Sequence, residues 1–320
     1  MSKQVITQAD SMSVISAKMS QNYDELLAKI EGEQHTDAEC YDAFIAEMNK
    51  YAVRFGMNDT NFVNPHGLNH ADHYSCAKDL ARLIMNYASR PRVIEFMWQD
   101  SYSVEVGGPN ARTISGDAAY KGYRIPSVAD YYHIYTGKGG TLLISGTNYE
   151  NLCMICKSKV DDAWLCGCIM YNTYNPGGES NNRGVPFKEM LDWLEDYRQD
   201  PATPTPTIQA QYCSAWVMPP HTLTAYGDVD LQMVGKSSTT HAKPASCTKM
   251  MTAIIAFDHL SMDETITVKA GDIEGGSGDT FYDGDTLNAG DAMLAFMIKS
   301  SNTLGHTIAR VVGEKILNAK

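Results

Sequence analysis

The spacing of apolar positions changes several times along the chain, and each change marks an element. Phe44, Ile45, Met48 and Tyr51 recur at helical spacing after Thr36 and Glu39, which stand as a capping-box pair, and Gly56 suits the helix stop. A second helix is expected over residues 74–84, beyond the turn-rich stretch Met57–Leu68. Earlier, Tyr23, Leu26, Leu27 and Ile30 are spaced as a helix inside a polar extension, residues 1–34, to which no role is assigned. Residues 95–135 are tyrosine-rich and expected to form strands and loops. The apolar runs 141–145, 152–156 and 163–171 are expected to be strands, with the polar segment 157–162 as a hairpin loop. After Pro186 a helix is expected to present Phe187, Met190, Leu191 and Leu194 on one face. A Pro/Thr-rich linker occupies residues 201–207. Beyond it lie strand-like runs at 212–218 and 232–234, then an apolar helical run to Phe257. Glycine-rich acidic loops are expected over 275–290. A buried helix at 292–298 breaks at residues 299–302, and a last helix carries Leu304, Ile308, Val311 and Val312 on one face.

Composition narrows what such a chain can do. Its 320 residues suffice for one large domain or two small ones, and a net charge of −12 argues against nucleic acid or an anionic membrane surface as partner. No apolar run approaches the ~18 residues of a membrane span. The first ten residues lack the pattern of a signal peptide. The pairs Cys153/Cys156 and Cys166/Cys168 have zinc-like spacing but sit in apolar strand runs, so they are assigned to the strand core. His66, His70 and His73 lie in a loop with no accompanying carboxylate motif and are read as structural or solvent-facing. No metal and no organic cofactor is expected.

Candidate chemistry is concentrated at three places. Ser246 opens the apolar helical run and Lys249 follows one turn later, on the same face. A buried lysine loses its charge readily, and a neutral amine beside a hydroxyl is a general base beside a nucleophile. Ser300-Ser301-Asn302 interrupts two apolar helices and offers a hydroxyl and an amide. Lys138-Gly139-Gly140-Thr141 leads into a strand.

Taken together these residues resemble the S-x-x-K, S-x-N and Lys-Thr-Gly elements of penicillin-recognising serine enzymes. The segments Phe55–Leu68, with its Phe-Val-Asn-Pro-His-Gly-Leu run, and 74–81 are similar to signature segments of serine D-alanyl-D-alanine carboxypeptidases, the low-molecular-mass penicillin-binding proteins. So is Pro244–Thr252. In that family the S-x-x-K half precedes the Lys-Thr-Gly half. Here residues 35–200 resemble the latter half of the catalytic domain and 208–320 the first half, the pattern of a circular permutation within one structural domain. A tandem array, or two chains exchanging halves, would give the same order; the oligomeric state is left open.

The resemblance implies a β-lactamase/transpeptidase-like α/β (α+β) fold: an antiparallel sheet of about five strands flanked by helices, beside a helical lobe. It implies Ser246 as nucleophile, Lys249 as its base and Ser300 as proton relay. Asn302, Lys138, Gly139, Gly140 and Thr141 would bind substrate, with the Ser246 and Thr141 amides as oxyanion donors. The implied substrate is a peptidoglycan stem peptide outside the cytoplasmic membrane, with β-lactams as covalent inhibitors. A β-lactamase, a penicillin-binding endopeptidase, or a binding module with weakened turnover are the alternatives. Gly139 stands where the family has threonine. Thr141 is expected to point away from the vacated place, and restoring threonine at 139 is expected to raise turnover.

Overall fold

Thr36 and Glu39 do form a capping box: the Glu39 amide donates to Thr36 Oγ1 (3.2 Å) and the Thr36 amide to Glu39 Oε2 (2.8 Å). Helix α1 (Asp37–Arg54) starts there and buries Phe44, Met48 and Tyr51. Helix α2 (Ala77–Ala88) follows the turn-rich loop and is buried along almost its whole length. These and all further elements come from a computed structural model, which describes residues 35–90, 92–93, 101–117, 126–158, 160–161, 163–173, 183–217 and 232–319, with scattered positions between 12 and 22. Most of the helix expected over 21–30 lies outside the described residues, as do Met218 and parts of 95–135.

Strands β1 (Ser101–Val106) and β2 (Arg112–Asp117) form a separate antiparallel pair. Then come β3 (Tyr132–Ile144), β4 (Thr147–Ser158) and β5 (Trp164–Thr173), helix α3 (Gly184–Gln199), β6 (Tyr212–Val217) and β7 (Val234–Lys236). A 3₁₀ turn at Ala245–Thr248 leads into α4 (Lys249–His259). The chain continues through β8 (Thr265–Thr267), β9 (Thr286–Asn288), α5 (Ala289–Ile298) and α6 (Asn302–Asn318).

Strands β3–β7 form one five-stranded antiparallel sheet in chain order, so the fold is the mixed α/β type with an antiparallel sheet and helices. β6 pairs with β5 from Leu165↔Val217 to Met170↔Tyr212, and hydrogen bonding therefore continues across the linker. β3 begins earlier than the apolar run at Thr141 suggests. The part before Thr141 contains Gly137, Lys138, Gly139 and Gly140, which hide a strand from a reading based on apolar residues. Likewise β9 and the start of α5 fall inside the stretch 275–290, where only loops are expected; a three-residue strand is too short to show a period.

Both faces of the sheet are buried, which explains its nearly continuous apolar strands. Cys153, Ile155, Cys166, Cys168, Met170 and Trp216 face the helical side, and Leu152, Met154, Cys156, Leu165 and Ile169 face α3. Cys153 and Cys156 thus point to opposite faces and cannot share an ion. All eight thiols are buried and free, the strand-core arrangement expected for the paired ones. On the helical side α1 packs along α6, with Tyr41 stacked on His306 at 4.7 Å.

Candidate active site

The site forms where the open edge of β3 meets the helical side. Ser246 sits in the 3₁₀ turn and is half-buried, while Lys249, the first residue of α4, is completely enclosed. Their separation of three residues brings Lys249 Nζ within 3.0 Å of Ser246 Oγ. Lys249 Nζ also donates to the His66 carbonyl (2.9 Å) and to Asn302 Oδ1 (2.7 Å). Burial, and then the nearby Lys138, hold the Lys249 amine well below its ordinary pKa.

The turn-rich loop 57–68 forms a wall of the site. Thr252 donates to the Pro65 carbonyl (2.6 Å), and Asn64 braces the loop by accepting from the Gly67 amide (2.7 Å) and donating to the Leu68 carbonyl (2.9 Å). Gly67 has φ +89°, and a Cβ there would stand 1.9 Å from the Ala245 carbonyl oxygen. Only glycine permits that approach. Ala245 itself has φ +50° and Ser300 has φ +59°. Strained backbone thus lies beside Ser246 and within the 300–302 segment, each held by its surroundings.

Ser300 and Asn302 belong to the junction of α5 and α6. Ser301 caps α6 by accepting from the Leu304 amide (3.2 Å), which fixes the direction of the helix start. Asn302 Nδ2 donates to the Gly275 carbonyl (2.7 Å), which turns its Oδ1 toward Lys249. That oxygen keeps a second lone pair for another donor.

Lys138, buried in β3, donates to Ser300 Oγ (3.1 Å) and to the Gly139 carbonyl (3.0 Å). Burial pushes its pKa down to about 8, with Cys247 opposing and Arg183 adding to the shift. The structure thus gathers the five residues into two hydrogen-bonded groups, Ser246 with Lys249 and Asn302, and Lys138 with Ser300, which meet through the chain segment 300–302. Gly140 completes the edge: a Cβ there would lie 2.7 Å from the Ser246 nitrogen, so β3 runs directly against the Ser246 amide.

One expectation about the third motif needs correction. Residues 139 and 141 are two apart on a strand and share a face; Thr141 does not point away from the place at Gly139. Both meet Arg183, which immediately precedes α3. Its guanidinium donates to Thr141 Oγ1 (3.3 Å), Glu150 Oε1 (3.0 Å) and the Asn151 carbonyl (3.4 Å). A Cβ at 139 would stand 2.3 Å from Arg183 Nη1, so a threonine there has to displace the guanidinium. Arg183 was invisible in the sequence, where it stands alone between Asn182 and Gly184, far from every motif; its pairing with Glu150 depends on the sheet register.

The three loop histidines do not converge. His70 is exposed, while His73 is buried and held between the Val63 amide (3.1 Å) and Thr248 Oγ1 (2.8 Å). Among the described residues no helix is long and apolar enough to cross a membrane.

Comparison with known proteins bears on residues 35–111, which match the sequence model of the D-alanyl-D-alanine carboxypeptidase family, peptidase S11. One curated relative is D-alanyl-D-alanine carboxypeptidase DacA of Haemophilus influenzae, 50% identical over 38 residues. That match spans 12% of this chain and 10% of the relative's length. No solved structure matches the chain.

Proposed function

We propose, from the match of residues 35–111 to the D-alanyl-D-alanine carboxypeptidase family, that the chain is a serine carboxypeptidase, removing the terminal D-alanine of peptidoglycan stem peptides through an acyl-enzyme on Ser246. The partner set of Lys249 Nζ carries this reading. The His66 carbonyl and Asn302 Oδ1 can only accept. A neutral amine has two N–H groups and one lone pair. With both N–H groups committed, the lone pair is left for the Ser246 hydroxyl, 3.0 Å away. Burial favours that neutral form.

In the acylation step the Ser246 O–H proton passes to Lys249 Nζ. A bond forms from Oγ to the carbonyl carbon of the penultimate D-alanine, and the amide bond to the terminal residue breaks. That proton is relayed from Lys249 through the Ser300 hydroxyl, which Lys138 tethers, to the departing amine, so that Lys249 ends neutral and Ser300 remains a hydroxyl. The amides of Ser246 and Thr141 hold the oxyanion; a preorganised donor of this kind is worth about 3 kcal/mol. The close fit of Gly140 against the Ser246 amide supports that pairing. Lys138 and Arg183 attract the terminal carboxylate. Water then cleaves the ester. A β-lactam ring carbonyl presents the same electrophile and acylates Ser246 in the same way. In this reading the enzyme works on the cell wall, outside the cytoplasmic membrane, and the motif order reflects a circular permutation of one catalytic domain.

The test is labelling with a fluorescent penicillin followed by peptide mapping, together with D-alanine release from diacetyl-Lys-D-Ala-D-Ala. Label is expected on the Ser246 peptide and is expected to vanish in Lys249→Met. An unlabelled Ser246 peptide would sink the acyl-enzyme. Label without D-alanine release would reduce the protein to a penicillin-binding module.

A further inference from the structure

One turn of α6 beyond Asn302, a second cluster of side chains stands outside the machinery described above. One ligand atom each from His66, Glu274 and His306 lies within 4.8 Å of the other two. We infer that these three residues form a site for a divalent transition-metal ion of the zinc class.

His66 is the key observation. It is 3% exposed, and its Nε2 is buried without a hydrogen-bond partner. An orphaned polar atom of this kind calls for an explanation. Nδ1 already accepts from the Leu68 amide at 3.3 Å, so Nε2 is the nitrogen left for a ligand. The His66 and His306 rings stack with centroids 5.0 Å apart at 23°, and Tyr41 covers His306 from the far side. His306 Nε2 lies 3.9 Å from Glu274 Oε2, beyond hydrogen-bond reach but close enough for both atoms to converge on one ion.

The donor set suits such an ion. Two imidazoles and one carboxylate are a set that zinc accepts, with water in the fourth place. Nitrogen donors favour zinc, copper or nickel over calcium and magnesium. Binding at Nε2 moves the ring proton of His66 to Nδ1 and gives up the long contact from Leu68. The side chains of Glu274 and His306 are 38% and 22% exposed, which leaves an entry path from solvent.

An ion here would join three segments: the loop 57–68 through His66, the segment around Glu274, and α6 through His306. The carbonyls of His66 and Gly275 are the ones that hold Lys249 and Asn302. The ion would therefore brace the frame around Lys249 without touching a reacting atom.

The test uses the untagged full chain after dialysis against EDTA. Titration with Co²⁺ is expected to reach saturation at one equivalent with the visible bands of a four-coordinate site. Zn²⁺ is expected to displace the bands and raise the melting temperature, and Mg²⁺ to do neither. His306→Gln and Glu274→Gln are each expected to weaken Co²⁺ binding at least tenfold. Both residues lie outside the proposed catalytic set, so the metal-free melting temperature and penicillin labelling should be retained. Absence of saturable one-equivalent binding to the unsubstituted chain would overturn the site, whether or not the variants fold. So would unchanged affinity in both variants. Neither result depends on the proposed peptidase activity.

Discussion

Gly139 and Arg183 share one place: a Cβ on Gly139 would lie 2.3 Å from Arg183 Nη1. The arginine is a long side chain and can move, so a threonine at 139 is tolerated only by displacing the guanidinium from Thr141. Gly139→Thr is therefore expected not to raise turnover, contrary to what the motif alone suggests. Arg183→Ala should cost about 2 kcal/mol, roughly 30-fold in kcat/KM and mostly in KM, the usual scale for a hydrogen bond to a charged group. The double variant is the discriminating measurement. The two effects should fall well short of adding, because each removes the same contact.

A pH profile tests the pair of lysines. In the proposed mechanism Lys249 must be neutral to take the Ser246 proton, and its lowered pKa puts that limb on the acid side. In the same mechanism Lys138 must stay charged to tether Ser300 and attract a carboxylate. With its pKa at about 8, the acylation rate should fall as pH rises through that value. Lys138→Arg should move the alkaline limb upward, since arginine keeps its charge. An alkaline limb that stays in place would remove Lys138 from the reaction.

Acid should weaken the fold through His73. Its folded pKa is lowered to about 3 by burial, against 6.5 when exposed. Protons are then taken up preferentially by the unfolded chain, so the stability this residue contributes is complete above pH 6.5 and is lost as pH falls toward 3. Urea midpoints measured between pH 7 and pH 4 should decline. The decline should be shallower in His73→Gln, which keeps a donor for Thr248 but does not titrate.

Close approach at Gly140 makes a sharp prediction. Gly140→Ala places a methyl 2.7 Å from the Ser246 nitrogen and forces the β3 edge back. Penicillin acylation should slow by about 100-fold, the scale of losing one oxyanion donor. Gly271→Ala, where nothing lies within 4 Å, is the control and should leave the rate unchanged.

The linker offers a test of the rotated order. A protease site introduced within residues 201–207 should yield two fragments that still elute together, because β5 and β6 remain paired across the cut. Penicillin labelling should survive. Fragments that separate under native conditions would contradict a single shared sheet.

What the sequence made legible was local chemistry. The Thr36 capping box, the spacing of Ser246 and Lys249, and the polar break at Ser300–Asn302 each depend on neighbours within a turn. The Cys153/Cys156 pair was also readable, because strand alternation alone sends the two to opposite faces. Other features depended on register or on distant segments. The part of β3 before Thr141 was hidden by its glycines, and the sharing of one face by Gly139 and Thr141 required the strand to be recognised first. Arg183 reaches Glu150 only because α3 begins beside β4. The cluster of His66, Glu274 and His306 joins residues more than 200 positions apart in sequence, a distance at which no spacing rule operates.

The sheet that continues across the linker also has a consequence during synthesis. Residues 132–173 leave the ribosome as a three-stranded meander whose β5 has no partner on its far side. That edge carries Leu165, Cys166, Cys168, Ile169 and Met170, an apolar row with open backbone groups. It must wait for residues 212–217, some forty positions later. At 5–20 residues per second the wait is roughly two to eight seconds. The nascent chain is therefore most prone to wrong strand pairing in that interval, and the length and composition of the connecting segment set how long it lasts.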